Sequence, residues 1–163
     1  MAASLEEPEY KKKKLTDKPP SGLLTCHAIR LKPGEELVSG LKRFVSENDL
    51  GSAFVLTCVG SVRSGTIRLA NATVSSKGDP NEIMELNGQF EILSLVGTIS
   101  GGGHLHVSLG DKEGRVIGGH VMGNMIIFTT AEVVIGNSQQ LNFTREFDEE
   151  TGFDELVIRP LEC

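Results

Sequence analysis

The stretch Gly103-His104-Leu105-His106-Val107-Ser108-Leu109-Gly110-Asp111-Lys112-Glu113-Gly114-Arg115-Val116-Ile117-Gly118-Gly119-His120-Val121 reads as one β-hairpin. Its centre, Asp111-Lys112-Glu113-Gly114, has the Asp-x-x-Gly form of a type I turn whose glycine takes the left-handed position, giving a three-residue loop with a glycine bulge. That turn sets Asp111 opposite Arg115 and, counting back, His106 opposite His120. Directly opposed residues share a face, with Cβ atoms about 5 Å apart. His104 and His106 are two apart on a strand, so they also leave one face. Three of the four histidines in the chain are thereby predicted to meet on one side of one hairpin. A one-residue slip would send His120 to the other side and dissolve the cluster.

Working outward, the chain continues in strands. Upstream, residues 90–99 form a strand that ends at the Gly101-Gly102-Gly103 triplet. Residues 52–62 form another, too apolar for an exposed edge, which runs on through 65–70. Residues 75–81 read as a polar loop. Downstream, 116–122 and 125–135 read as two strands, and 141–147 with 155–158 as a last hairpin around Glu149-Glu150-Thr151-Gly152. Leu24-Thr25-Cys26-His27-Ala28-Ile29-Arg30-Leu31 carries apolar residues on both faces, the mark of a strand covered on two sides. After Lys32-Pro33-Gly34, the pair Glu35-Glu36 opens the one convincing helix. Leu37, Leu41, Phe44 and Val45 recur at helical spacing, and Asn48-Asp49-Leu50-Gly51 ends it. The predicted fold is therefore α+β: a predominantly antiparallel sheet packed by one main amphipathic helix. Residues 22–163 form a single domain in this reading. Residues 1–21, charged, proline-containing and without periodicity, form a flexible arm.

Composition narrows the function. Nineteen glycines and only 5% aromatic residues suit a β-rich domain built on Val, Ile, Leu and Ala. The net charge of −6 does not steer the chain toward phosphate backbones, so nucleic acid is not an expected partner. The basic run Lys11 to Lys14 is read as part of the solvated arm. No stretch resembles a signal peptide or a membrane span. Three cysteines without paired spacing indicate reduced thiols and a cytoplasmic or nuclear compartment. Cys26 and Cys58 are expected in the core, and Cys163 lacks a prenylation context.

Three imidazoles on one face form a pattern that holds zinc with a coordination position left open, and neutral imidazole suits zinc, iron, nickel or copper. The expected cofactor is a divalent metal, zinc first, on His104, His106 and His120. The glycines around these histidines leave room for a ligand or a second chain. Arg145, Glu132 and Glu91 are candidates for groups that support the metal ligands or touch a bound ligand. His27 stands apart and is read as structural. No nucleophile elbow, no His-Glu-x-x-His and no phosphate loop is present.

Several blocks carry a family resemblance: Cys26-His27-Ala28-Ile29-Arg30-Leu31 with Pro33-Gly34-Glu35-Glu36; Gly60-Ser61-Val62; Gly88-Gln89-Phe90-Glu91-Ile92-Leu93-Ser94-Leu95-Val96-Gly97-Thr98; and the histidine hairpin itself. Together they resemble the plants and prokaryotes conserved (PPC) domain over residues 24–158. The resemblance implies one helix against an antiparallel sheet, a homotrimer, and a metal at His104, His106 and His120. Plant members place the domain after AT-hook motifs and act in the nucleus. This chain has no Arg-Gly-Arg-Pro hook, which argues against DNA binding, and Gln89 stands where the plant element has arginine, a departure expected to alter contacts to partner proteins. The resemblance implies no particular reaction. The expected functions are a metal-dependent enzyme acting on a small molecule, or a non-catalytic module that binds a ligand or assembles with other proteins. DNA-associated regulation ranks third. For the enzyme, Glu132 or Glu91 would serve as base only if the fold brings one near.

Overall fold

The computed structural model describes residues 19–70 and 82–161. The basic run Lys11 to Lys14, most of the N-terminal arm, the predicted loop at 75–81 and Cys163 lie outside the described residues. The elements follow the order β1 (Thr25–Leu31), α1 (Leu37–Glu47), β2 (Phe54–Arg68), β3 (Ile83–Thr98), β4 (His104–Gly110), β5 (Val116–Asn137), β6 (Leu141–Asp148) and β7 (Phe153–Pro160). All strand pairings are antiparallel.

The main sheet runs β1-β5-β2-β3-β4, and β4 pairs again with β5. Strands β5, β2, β3 and β4 thus close into a ring. The closing seam is the β4–β5 hairpin, in which His106 lies opposite His120 and Gly110 opposite Val116. At its turn, the Asp111 N–H donates to the Arg115 carbonyl, the Gly114 N–H donates to the Asp111 carbonyl, and Gly114 sits at φ +78°. The Asp111 carboxylate accepts from the backbone N–H of Glu113 and of Arg115, which fixes the loop. The local turn chemistry therefore sets the register that the sequence predicts.

Helix α1 forms where Leu37, Leu41, Phe44 and Val45 recur. Leu37 and Leu41 are fully buried, and Phe44 and Val45 pack at the edge of the core. Burying one such leucine contributes about 1.5–3 kcal/mol. The two glutamates precede the helix rather than occupying its first turn. Glu36 caps it by accepting from the Ser39 N–H at 2.7 Å, and Glu35 accepts from the Lys32 N–H and from Arg43. The same Glu36 carboxylate accepts from the Met125 N–H, which ties the start of the helix to β5. The core between helix and strands holds Leu31, Val62, Ile67, Leu95, Leu109, Met125, Ile127 and Ile135, all at most 1% exposed.

Three expectations change. Residues 116–137 are one strand, not two: Gly123 (φ +129°) and Asn124 (φ +56°) bend it and shift its pairing with β2 without ending it. Strand β3 begins at Ile83 rather than at Phe90: Ser64–Arg68 of β2 pairs with residues 83–87, which place Leu86 in the core and leave Glu85 and Asn87 exposed. Strand β1 is covered on one side only. Leu31 is buried and His27 and Ile29 half-buried, while Cys26, Ala28 and Arg30 are exposed. Cys26 is therefore not a core residue, whereas Cys58 is.

Candidate metal centre

The site is built on the seam that closes the ring. His104 and His106 begin β4, and His120 faces His106 from β5. On the other flank of β4, Thr98 of β3 lies opposite His104, and on the other flank of β5, Arg68 of β2 lies opposite His120. Opposed residues share a face, so four strands contribute to one surface. Close strand approach is required beside it. Gly97 sits at φ +126°, and a Cβ there would collide with the His104 carbonyl oxygen.

The three rings are close. Centroids lie 5.0 Å apart for His104 and His106, 4.8 Å for His104 and His120, and 5.2 Å for His106 and His120. The Nε2 atoms of His104 and His106 are 2.9 Å apart, and one ligand atom from each of the three rings lies within 4.8 Å of the others. His106 is exposed; His104 and His120 are half-buried. Burial, followed by the nearby Arg68 guanidinium, pushes the His120 pKa down to about 4. Burial, followed by Arg145, lowers that of His104. Both rings are neutral at physiological pH, the state in which imidazole ligates a metal. The Nδ1 atom of His120 is buried without a hydrogen-bond partner, a cost that an electron-pair acceptor at that nitrogen would remove. Donor type, proximity, protonation and this orphan nitrogen all fit a divalent cation.

Two cavities flank the histidines. One, about 110 Å³, lies toward the helix and is lined by Val38, Lys42, Ile99, Leu105 and the two half-buried histidines. The other, about 320 Å³, lies toward the β6–β7 hairpin and includes Arg68, Arg145, Phe153 and Glu155.

Of the other candidates, Arg145 stands beside the cluster, where its Nη2 donates to Thr98 Oγ1 at 3.1 Å. Glu132 and Glu91 do not line either cavity. Glu132 lies opposite Arg30 and Val59, and Glu91 lies opposite Ser61 and Gly110. The acids on the hairpin-side cavity are instead Asp154 and Glu155, of which Glu155 acts on His104 electrostatically. His27 packs on Phe44, with ring centroids 6.4 Å apart, away from the cluster. Arg68, Lys42 and Glu155 were missed in the sequence. The pairing of β2 with β5 that places Arg68 is long-range and has no local signal.

Fold and site together define a small α+β domain whose sheet closes through a three-imidazole hairpin. The profile of the Plants and Prokaryotes Conserved (PCC) domain matches residues 20–139, and the chain belongs to that family. The match ends just past β5, short of the 24–158 span of the sequence resemblance, and leaves the β6–β7 hairpin outside it. A structure of a hypothetical protein from Salmonella cholerae-suis is 35% identical, with a TM-score of 0.78, covering 86% of this chain and 96% of that one. A metal-containing protein from Archaeoglobus fulgidus is 28% identical, with a TM-score of 0.70, covering 86% of this chain and 99% of that one. Among curated relatives, a bifunctional protein GlmU from Synechococcus sp. (strain JA-3-3Ab) is 39% identical over 140 residues, 85% of this chain. The chain spans 21% of the length of that relative. No helix among the described residues is long and apolar enough to cross a membrane.

Proposed function

We propose that His104, His106 and His120 hold one divalent cation, zinc by the chemistry of the donor set, and that the protein uses it to bind and act on a small molecule. The convergence of three imidazoles on one face, one of them with a buried orphan nitrogen, carries this reading. The metal-containing Archaeoglobus relative supports it. With three protein ligands a cation keeps an open position and supplies Lewis acidity toward a carbonyl or phosphoryl oxygen. The chain's own residues supply the rest. Arg68 and Arg145 discourage protonation of the buried imidazoles, the hairpin-side cavity receives the molecule, and Glu155 is the candidate to accept a proton there. Elemental analysis of protein purified without chelator tests the reading, with up to one zinc per chain expected.

A second reading, a non-catalytic module that binds a ligand and assembles with itself or other proteins, is favoured by an exposed apolar surface. Leu56, Val59, Leu93, Val96 and Phe128 are each 38–57% exposed on neighbouring strands. The pairing of Val55 with Gly97 and of Gly60 with Ile92 makes Leu56 and Val59 cross-strand neighbours of Val96 and Leu93. A homotrimer accounts for this surface in either reading. Light scattering should give three times the 17.5 kDa chain mass, and a monomer mass would remove it. The acidic net charge supports partners other than nucleic acid, and the free thiols of Cys26 and Cys58 suit the cytoplasm. Residues 1–21 serve as a dispensable arm to the domain at 22–163. A truncation starting at Gly22 should keep the thermal midpoint.

A further inference from the structure

We infer that the cavity between the histidines and the β6–β7 hairpin binds the oxyanion of a small molecule, a carboxylate or phosphate group, through Arg68 and Arg145. This rests on the reading of the histidines as a cation site, and it names the class of molecule that site receives. Arg145 reaches the cavity from β6. Its Nη1 donates to the Asp154 carbonyl at 3.2 Å and its Nη2 to Thr98 Oγ1, while its Nε is buried with no partner. Every acceptor the guanidinium meets is neutral. The ion pairs among the described residues that involve arginine join Arg43 to Glu35, Arg115 to Asp111 and Glu113, and Arg159 to Glu146; neither Arg145 nor Arg68 takes part in one. Arg68 lies 6.0 Å from the centre of the Phe153 ring, on the same cavity.

Two guanidinium groups without counter-ions, one of them with a buried unpaired N–H, are costly unless an anion completes them. Carboxylate and phosphate match the planar donor fork of arginine. At about 320 Å³ the cavity is at the small end of ligand pockets, which run from about 300 to 1,000 Å³. Asp154 and Glu155 line the same space, which disfavours a second anionic group on the same molecule. The oxyanion goes to the arginines, and a hydroxyl or amino group on the same molecule satisfies the carboxylates. A small hydroxylated or aminated carboxylate or phosphate, with one end toward the histidines, meets these demands.

The test is isothermal titration of the full chain, zinc-loaded and chelator-stripped, with inorganic phosphate and with glycolate, alongside the zinc content of each variant. One or both probes should bind wild type, and the preferred one tells phosphate from carboxylate. Arg145→Gln and Arg68→Gln should each weaken binding about tenfold or more, at unchanged zinc content. Arg145→Lys should recover part of the affinity, since it restores the charge without the fork. Arg63→Gln, an exposed position elsewhere on β2, should change nothing. If Arg145→Gln does not fold, Arg68→Gln carries the test alone. Absence of binding of both probes at millimolar concentration, or variants that bind like wild type, would overturn the inference. A protein that takes no zinc yet loses phosphate or glycolate affinity in the arginine variants would keep this inference and sink the cation reading. Zinc bound normally with anion binding indifferent to both arginines would do the reverse.

Discussion

His106 and His120 face each other across the β4–β5 ladder, with their ring centroids 5.2 Å apart and their planes at 87°. This pair joins the two ends of the strand ring, so the contact that closes the sheet also assembles the site. Anything that disturbs the seam should therefore register in the histidines, and the reverse should hold to a lesser degree.

Metal-free protein should lose stability as pH falls from about 6.5 to about 4. In the unfolded chain His120 takes up its proton near its ordinary 6.5, whereas burial and Arg68 hold it to about 4 in the folded state. The unfolded state therefore binds more protons across that window, and stability drops as pH falls through it and levels off below. His104, lowered in the same direction, adds to the slope. Thermal midpoints across this range, compared between wild type and His120→Gln, check the claim. The variant should show a shallower decline, and an unchanged one would refute it.

Gly97→Ala should destabilise the fold by about 2–4 kcal/mol. The position combines φ +126° with a Cβ that would collide with the His104 carbonyl, so the chain must shift at the first residue of β4. Chemical denaturation reads the stability, and metal content should fall with it. A midpoint unchanged from wild type would mean that β3 and β4 do not approach as described.

Cys58 should resist alkylation by iodoacetamide in the folded protein and react on unfolding. It is 3% exposed, and burial pushes its thiol pKa up to about 11. Cys26, exposed on β1, should be labelled faster. Peptide mapping after a short pulse separates the two, and equal labelling would contradict the placement of Cys58.

The histidine hairpin was legible in the sequence because its geometry is local. Asp111 and Gly114 specify the turn, the turn specifies the register, and the register places His106 against His120. Helix α1 was legible for the same reason, from the spacing of Leu37, Leu41 and Phe44. What escaped depends on pairings between distant segments. Residues 83–87 carry only a short alternation, Met84 and Leu86 inward against Glu85 and Asn87 outward, and it is the ladder with β2 that fixes them as strand. Cys26 reads as apolar by its neighbours, yet strand alternation turns it outward. Glu91 and Glu132 had no positional signal and lie away from the cluster, while Arg68 and Glu155 reach it through β2 and a C-terminal hairpin whose position no local pattern encodes.

The central claim is that three imidazoles on one hairpin form a cation site, and zinc content per chain in His106→Ala against His27→Ala tests it most directly. His106 is the middle member, opposite His120 and two residues from His104, and its removal leaves two ligands on separate strands, too few for tight binding. His27 packs on Phe44 outside the cluster. After incubation with zinc at neutral pH and removal of the excess, wild type and His27→Ala should carry up to one ion per chain, and His106→Ala should carry little. Equal loss in both variants, or no zinc in wild type, would contradict the account.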